Sequence, residues 1–273
     1  MCFGGEIVSA DSRQVYRGLD LGTGKVTEEG MEGVPHHMLD VVGPNQPYSV
    51  AEFQAGAYAA IDGILARGNP PFLVGGTGLY VRAVTEGFTF TDARPDPALR
   101  AKLEGKTTAE LYALLREKTG VTLTGGEEFN RQRLMRSVEK ARSGQWESPP
   151  PRPRYDCLLL GVTFPRDVVC RRIDERLQAR LDAGMVEEVA ALRAGGADDS
   201  FLEGLGLEYR YILWYLTGKI PTLDALKDEL GRAIKRFAKR QMVWFQKDRD
   251  VLWLDMEVDF LTQAVRAVED FLA

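Results

Sequence analysis

The chain has 273 residues, 44% of them hydrophobic, and a formal net charge of -5 at neutral pH. That is enough for one sizeable core or a core with a smaller insert, and it excludes an intrinsically disordered chain. No run of about 18 apolar residues is present to span a bilayer, and Met1-Cys2-Phe3-Gly4-Gly5 lacks the charged and apolar regions of a signal peptide, so no membrane association and a cytoplasmic location are expected.

Glu6-Ile7-Val8-Ser9 predicts a strand that runs out at Asp11, and Met38-Leu39-Asp40-Val41-Val42 predicts another. In Ser49-Val50-Ala51-Glu52 the serine oxygen and the glutamate three residues on can satisfy each other's exposed amide donors, a capping box that opens a helix to about Arg67. Phe72-Leu73-Val74 predicts a buried strand entering Gly75-Gly76-Thr77-Gly78, with a helix from about Leu79. Asp92-Ala93-Arg94-Pro95-Asp96-Pro97 marks a domain boundary. Only helical patterns follow as far as Gly144, among them a second capping box at Thr107-Thr108-Ala109-Glu110, and Pro149-Pro150-Pro151-Arg152-Pro153 is a stiff, extended return path. Cys157-Leu158-Leu159-Leu160-Gly161-Val162 resumes the strand pattern, and helices then dominate until Val251-Leu252-Trp253-Leu254. The alternation predicts an α/β core of residues 1–94 and 146–273 with a parallel sheet, interrupted by an all-helical insert at 95–145.

Three cysteines, Cys2, Cys157 and Cys170, are too widely spaced for a metal knuckle, and an odd number argues against a disulfide framework, so reduced, buried thiols are expected. His36 and His37 are the only histidines, too few for a histidine metal site. Any metal is expected on carboxylates, hydroxyls and phosphates. The net negative charge hides two basic concentrations, at Arg131 to Arg154 and at Arg232 to Arg249, which suit a polyanionic partner better than the total does.

Several positions could carry chemistry. Asp11 lies beyond a strand end, where open α/β sheets bind ligands, with Ser9, Ser12 and Gln14 beside it; an aspartate there also caps helices and forms turns. Gly75-Gly76-Thr77-Gly78 allows close approach of backbone to ligand, or merely joins strand to helix. Gly22-Thr23-Gly24-Lys25 is not a phosphate loop, because Leu19 and Val26 stand where that loop needs glycine and serine or threonine. Arg172, Arg176 and Arg180 share one helical stripe, suited either to diphosphate oxygens or to ion pairs with Asp174, Glu175 and Asp182. The face formed by Arg232, Lys235, Arg236, Lys239 and Arg240 suits phosphates or simple solvation equally.

These pieces stand in the order found in tRNA dimethylallyltransferases, the isopentenylpyrophosphate (IPP) transferase family, which the chain resembles over nearly its whole length. The resemblance is carried by Gly4 through Tyr16 (GGEIVSADSRQVY), Gly33-Val34-Pro35-His36-His37, Tyr48-Ser49, Val74-Gly75-Gly76-Thr77-Gly78-Leu79-Tyr80 and Asn130 through Arg136 (NRQRLMR). It continues in Arg172-Ile173-Asp174-Glu175-Arg176 and Phe237-Ala238-Lys239-Arg240-Gln241. The opening stretch and the Gly-Gly-Thr segment are together highly specific.

The resemblance implies a P-loop NTPase-like parallel sheet with helices on both faces, and transfer of dimethylallyl from dimethylallyl diphosphate to N6 of adenine 37 beside the anticodon of tRNA. It implies Asp11 as general base, Thr77 as a holder of the flipped adenine and Arg176 as a diphosphate cation, with Arg172 as a companion. Asp11, Ser12, Arg13 and Gln14, and then Gln132, Arg133, Leu134, Met135 and Arg136, match the family's two tRNA-contacting segments. The helical insert resembles its anticodon stem-loop domain. Mg2+ is expected with the diphosphate, and a monomer is expected.

The family's first strand and its G-x-x-x-x-G-K-[ST] loop precede the segment that begins here at Phe3, so the resemblance implies a sheet lacking that strand, an internal Met1, weak donor binding, and marginal stability and no transfer activity of these residues alone. Gly206-Leu207-Glu208-Tyr209-Arg210 departs from the common Gly-Tyr-Arg-Gln run, which leaves Arg210 without a role. A non-catalytic tRNA-binding remnant and a prenyltransferase acting on free AMP are the alternative functions; the helical insert speaks against the second.

Overall fold

The computed structural model describes residues 3–91, 96–123, 129–146 and 149–273. The chain divides into a larger unit, Met1–Thr85 with Arg154–Ala273, and a smaller one, Glu86–Pro153. These limits lie outside the expected 95 and 145: the Arg152 amide donates to the Gly87 carbonyl at 2.8 Å, which ties the proline run to the smaller unit. Most of the expected boundary run, Asp92 to Pro95, falls outside the described residues.

In the larger unit, β1 (Glu6–Ser9) lies between β2 (His36–His37) and β3 (Pro71–Val74), all parallel, with Ile7 opposite both His36 and Phe72. A second parallel pair joins β4 (Leu160–Thr163) to β5 (Leu252–Asp255). Among the described residues the parallel strands thus form two sheets rather than one.

No strand forms at Met38–Val42. Met38 and Asp40 take left-handed φ values of 64° and 55°, and the Asp40 amide donates to the Gln14 carbonyl at 3.1 Å. The apolar run is therefore bent back onto the segment after β1, and only an isolated Tyr16–Val42 bridge survives of the expected strand.

Helix α1 (Val50–Ala66) opens with the Ser49–Glu52 capping box and packs on β1 and β3. Its Phe53, Ala57, Ile61 and Ile64 close a core with Val8, Ala10, Tyr80 and Val84. The Phe53 and Tyr80 rings stack at 3.9 Å and so fix α2 (Gly78–Thr85) directly behind the Gly-Gly-Thr turn.

The smaller unit holds α3 (Pro97–Leu103), α4 (Thr108–Thr119) and α5 (Arg131–Arg142), around Leu99, Leu103, Leu111, Leu115, Leu134 and Val138. Glu139 is buried at its centre and accepts from the Asp96 amide (3.1 Å), Arg100 Nε (2.6 Å) and Arg136 Nη1 (3.1 Å). Burial alone would raise the Glu139 pKa, but these donors outweigh it and hold the carboxyl low.

The rest of the larger unit is helical: α6 (Arg166–Asp182), α7 (Met185–Ala194), α8 (Asp199–Leu205), α9 (Leu207–Leu216), α10 (Leu223–Phe245) and α11 (Phe260–Leu272). Leu177, Met185, Val189, Leu202, Tyr209, Ile212, Leu226 and Leu230 bury against Val15 and Leu19, so this second core sits directly under the segment that follows β1. The thiols are not buried as expected: Cys157 is exposed in the stretch before β4 and Cys170 half-buried on α6, while Cys2 lies outside the described residues.

Candidate functional site

The carboxyl ends of β1 and β3 meet because parallel pairing places Ser9 opposite Val74, and each strand then turns away through a short, polar segment. After β3, the Thr77 amide donates to the Ala10 carbonyl at 3.2 Å. Thr77 Oγ1 accepts from the Ser12 amide at 3.0 Å and lies 3.3 Å from Ser12 Oγ. A Cβ on Gly75 would collide with the Ala10 backbone, so this glycine is required by close approach of the two turns. Asp11, half-buried, accepts from the Arg13 amide at 2.8 Å through Oδ1. The geometry thus brings Asp11, Ser12 and Thr77 together at the carboxyl ends of β1 and β3.

Arg13 and Gln14 turn inward from the same segment. Burial lowers the Arg13 pKa, with Tyr16 and Asp11 acting against the shift. Gln14 bridges Ser9 Oγ (3.1 Å) and the Gly24 carbonyl (3.3 Å), tying the strand end to the loop that carries Gly22-Thr23-Gly24-Lys25. In that loop the amides of Asp20, Leu21 and Gly22 converge at 3.0, 2.6 and 3.0 Å on the carboxylate of Glu188 from α7, which also accepts from the Tyr209 hydroxyl at 2.9 Å. Three converging amides make an anion nest. Here a side chain of the protein occupies it, which agrees with the exclusion of a phosphate loop at this sequence.

Helix α10 closes on the other turn. Gln241 Nε2 donates to the Gly76 carbonyl at 3.0 Å, and the Trp244 ring fills the space a side chain at Gly78 would need. Arg82 of α2 lies over the same ring at 5.6 Å. Earlier on α10, Arg232, Arg236, Lys239 and Arg240 are exposed, whereas Lys235 is paired with Asp174 at 2.6 Å.

The α6 stripe separates into different environments. Arg172 is exposed with its guanidinium 4.6 Å from the Phe164 ring centroid, Arg176 is exposed, and Arg180 is half-buried against the Gly24 loop. Glu208, at the start of α9, has a pKa raised by burial, against which Arg180 and Arg176 act.

In the smaller unit, Gln132 and Arg133 are exposed on the first turn of α5, and Met135 and Arg136 are half-buried. Leu134 is fully buried in the helical core, so its side chain is withheld from any tRNA surface. Arg136 serves the buried Glu139, and Arg131 caps the end of α3 through the carbonyls of Leu103, Glu104 and Lys106. These guanidiniums have structural tasks that their place in a basic cluster does not reveal.

Sequence reasoning gave Glu188, Gln241 and Trp244 no place in the site. Gln241 stands in a family-like run with no task attached. No local signal marks Glu188, whose backbone-amide partners lie 166 to 168 residues away. Among the described residues no group of three or more His, Cys, Asp or Glu side chains could hold a metal ion.

The IPP transferase family profile matches residues 14–248. A tRNA dimethylallyltransferase of Symbiobacterium thermophilum is 42% identical, over 93% of this chain and 82% of its own length. The crystal structure of the tRNA isopentenylpyrophosphate transferase from Bacillus halodurans superposes with a TM-score of 0.72 at 35% identity, covering 99% of this chain and 88% of that one. A eukaryotic dimethylallyltransferase acting on tRNA shares the fold, with a TM-score of 0.81 at 22% identity over 99% and 74% of the two chains.

Proposed function

We propose, because the chain belongs to the IPP transferase family, that it transfers a dimethylallyl group from dimethylallyl diphosphate to N6 of adenine 37 in tRNA, working as a cytoplasmic monomer. The observation that carries this reading is the convergence of Asp11, Ser12 and Thr77 at parallel strand ends, a place where open α/β sheets bind ligands. No helix among the described residues is long and apolar enough to cross a membrane.

An adenine amine is a weak nucleophile. The Asp11 carboxylate takes its proton as the C–N bond forms, while the C–O bond to the diphosphate breaks and its electron pair leaves with oxygen. Thr77 offers a hydroxyl to the base, which must leave the anticodon loop to enter a closed site. Arg176 places positive charge near the departing oxygens. Among the described residues no group of three or more His, Cys, Asp or Glu could hold a metal ion, and magnesium would arrive with the diphosphate as part of the substrate. Among these residues Arg176, with Arg172 as its companion, is read as the cation that meets the diphosphate.

Gln132 and Arg133 of the smaller unit, together with Arg13 and Gln14 of the larger, are read as tRNA contacts, and residues 95–145 as the part that grips the anticodon stem-loop. Nothing favours a tRNA-binding remnant or a nucleotide prenyltransferase. The test is single-turnover transfer to tRNA by the protein and by Asp11→Asn. The variant should keep its tRNA affinity and lose on the order of 10²–10⁴ in rate; a rate within tenfold of the parent would take the base role from Asp11.

A further inference from the structure

Arg180 carries the observation that the proposed chemistry leaves unused. Its guanidinium lies against Gly24, which has a φ of 63°, and a Cβ at that position would overlap it. The loop is held in this shape by the Glu188 carboxylate, whose acceptor positions are taken by the amides of Asp20, Leu21 and Gly22 and by the Tyr209 hydroxyl. Glu188 therefore does not bind Arg180. Among the described residues Arg180 makes no hydrogen bond and no ion pair, although it is half-buried and follows Arg176 by one turn of α6. Burial and the neighbouring Arg176 charge both lower its pKa, and Glu208 opposes the shift without closing on it.

A shielded guanidinium with several donors and no acceptor is costly to keep unless something else supplies the acceptor. Two guanidiniums one turn apart suit an anion with more than one charged oxygen, since each can donate a planar pair of hydrogen bonds. Arg172 lies over Phe164 instead.

We propose that Arg180 is a second diphosphate cation beside Arg176, and that Gly24 and Glu188 are positioning residues that keep its place open. The proposal rests on the dimethylallyl-transfer reading. As the C–O bond breaks, the electron pair settles on the diphosphate oxygen, to which Arg180 donates hydrogen bonds while staying protonated. The proton released by the adenine amine goes to Asp11.

The test compares the parent protein with Arg180→Met, Arg180→Lys and Gly24→Ala, after checking by circular dichroism that each is folded. Inorganic pyrophosphate affinity is read by calorimetry, kcat and KM for dimethylallyl diphosphate by transfer assay, and tRNA affinity separately. Arg180→Met should weaken pyrophosphate binding roughly ten- to hundredfold, as expected for lost hydrogen bonds to a charged group, with tRNA affinity within twofold. Arg180→Lys should recover part of the loss, and Gly24→Ala should reproduce it by displacing the guanidinium. Pyrophosphate affinity within twofold of the parent in Arg180→Met would overturn the proposal, as would a parent that does not bind pyrophosphate. Arg180-dependent pyrophosphate binding without prenyl transfer to tRNA would sink the transfer reading and leave this one standing.

Discussion

At the start of β1, Glu6 occupies a buried strand position that an apolar residue would ordinarily fill. Its carboxylate accepts from Arg67 Nε and Nη2 at 3.0 and 2.7 Å and from Asn69 Nδ2 at 3.0 Å, and His37 Nε2 lies 2.7 Å away. The network staples the first turn of the sheet to the end of α1, upstream of Asp11. The bonds from Arg67, His37 and Asn69 lower the Glu6 pKa from 4.5 to about 2. Because the folded value lies below the unfolded one, the carboxylate's contribution is complete above about 4.5 and is lost as pH falls through about 2. Urea midpoints of the protein and of Glu6→Gln should differ most near neutral pH and converge as the pH drops below 4.5. Parallel curves would mean that ionised Glu6 is not what the staple depends on.

The helix α5 tests how an element divides structural from binding work. Leu134 and Val138 face the core, Glu139 collects Arg100 and Arg136, and Arg133 is exposed one turn from the Asn130 cap. If this surface meets the anticodon stem, Arg133→Ala should weaken tRNA binding and lower the slope of log affinity against log salt by about one, the counterions of one phosphate. An unchanged slope would return Arg133 to ordinary solvation. The capping boxes at Ser49 and Thr107 were legible because both partners lie within four residues. The glycine-rich turn after β3 was legible as a motif, but the need for glycine at Gly75 comes from the distant Ala10 backbone. The run Met38–Val42 was misread because an apolar pattern does not report the left-handed turns at Met38 and Asp40. Glu188 was illegible because its task is defined only once α7 lies beside the Asp20–Gly22 amides.

The smaller unit has a core that shares no residue with the two cores of the larger unit, and this divides the molecule's stability. The smaller unit buries Leu99, Leu111, Leu115 and Leu134 around the Glu139 cluster, and the helical part of the larger unit buries Leu202, Tyr209, Ile212 and Leu226. Units with their own cores need not melt together, and a chain built this way departs from a single two-state transition. Glu139→Ala removes the acceptor for Asp96, Arg100 and Arg136, and breaking such a buried cluster costs about 3 kcal/mol, the low end for buried pairs because both arginines reach solvent. Ile212→Ala empties a fully buried site and should cost about 2–5 kcal/mol. Calorimetry should resolve two transitions, with Glu139→Ala lowering one and Ile212→Ala the other. A single transition shifted alike by both variants would show that the two cores unfold as one cooperative body.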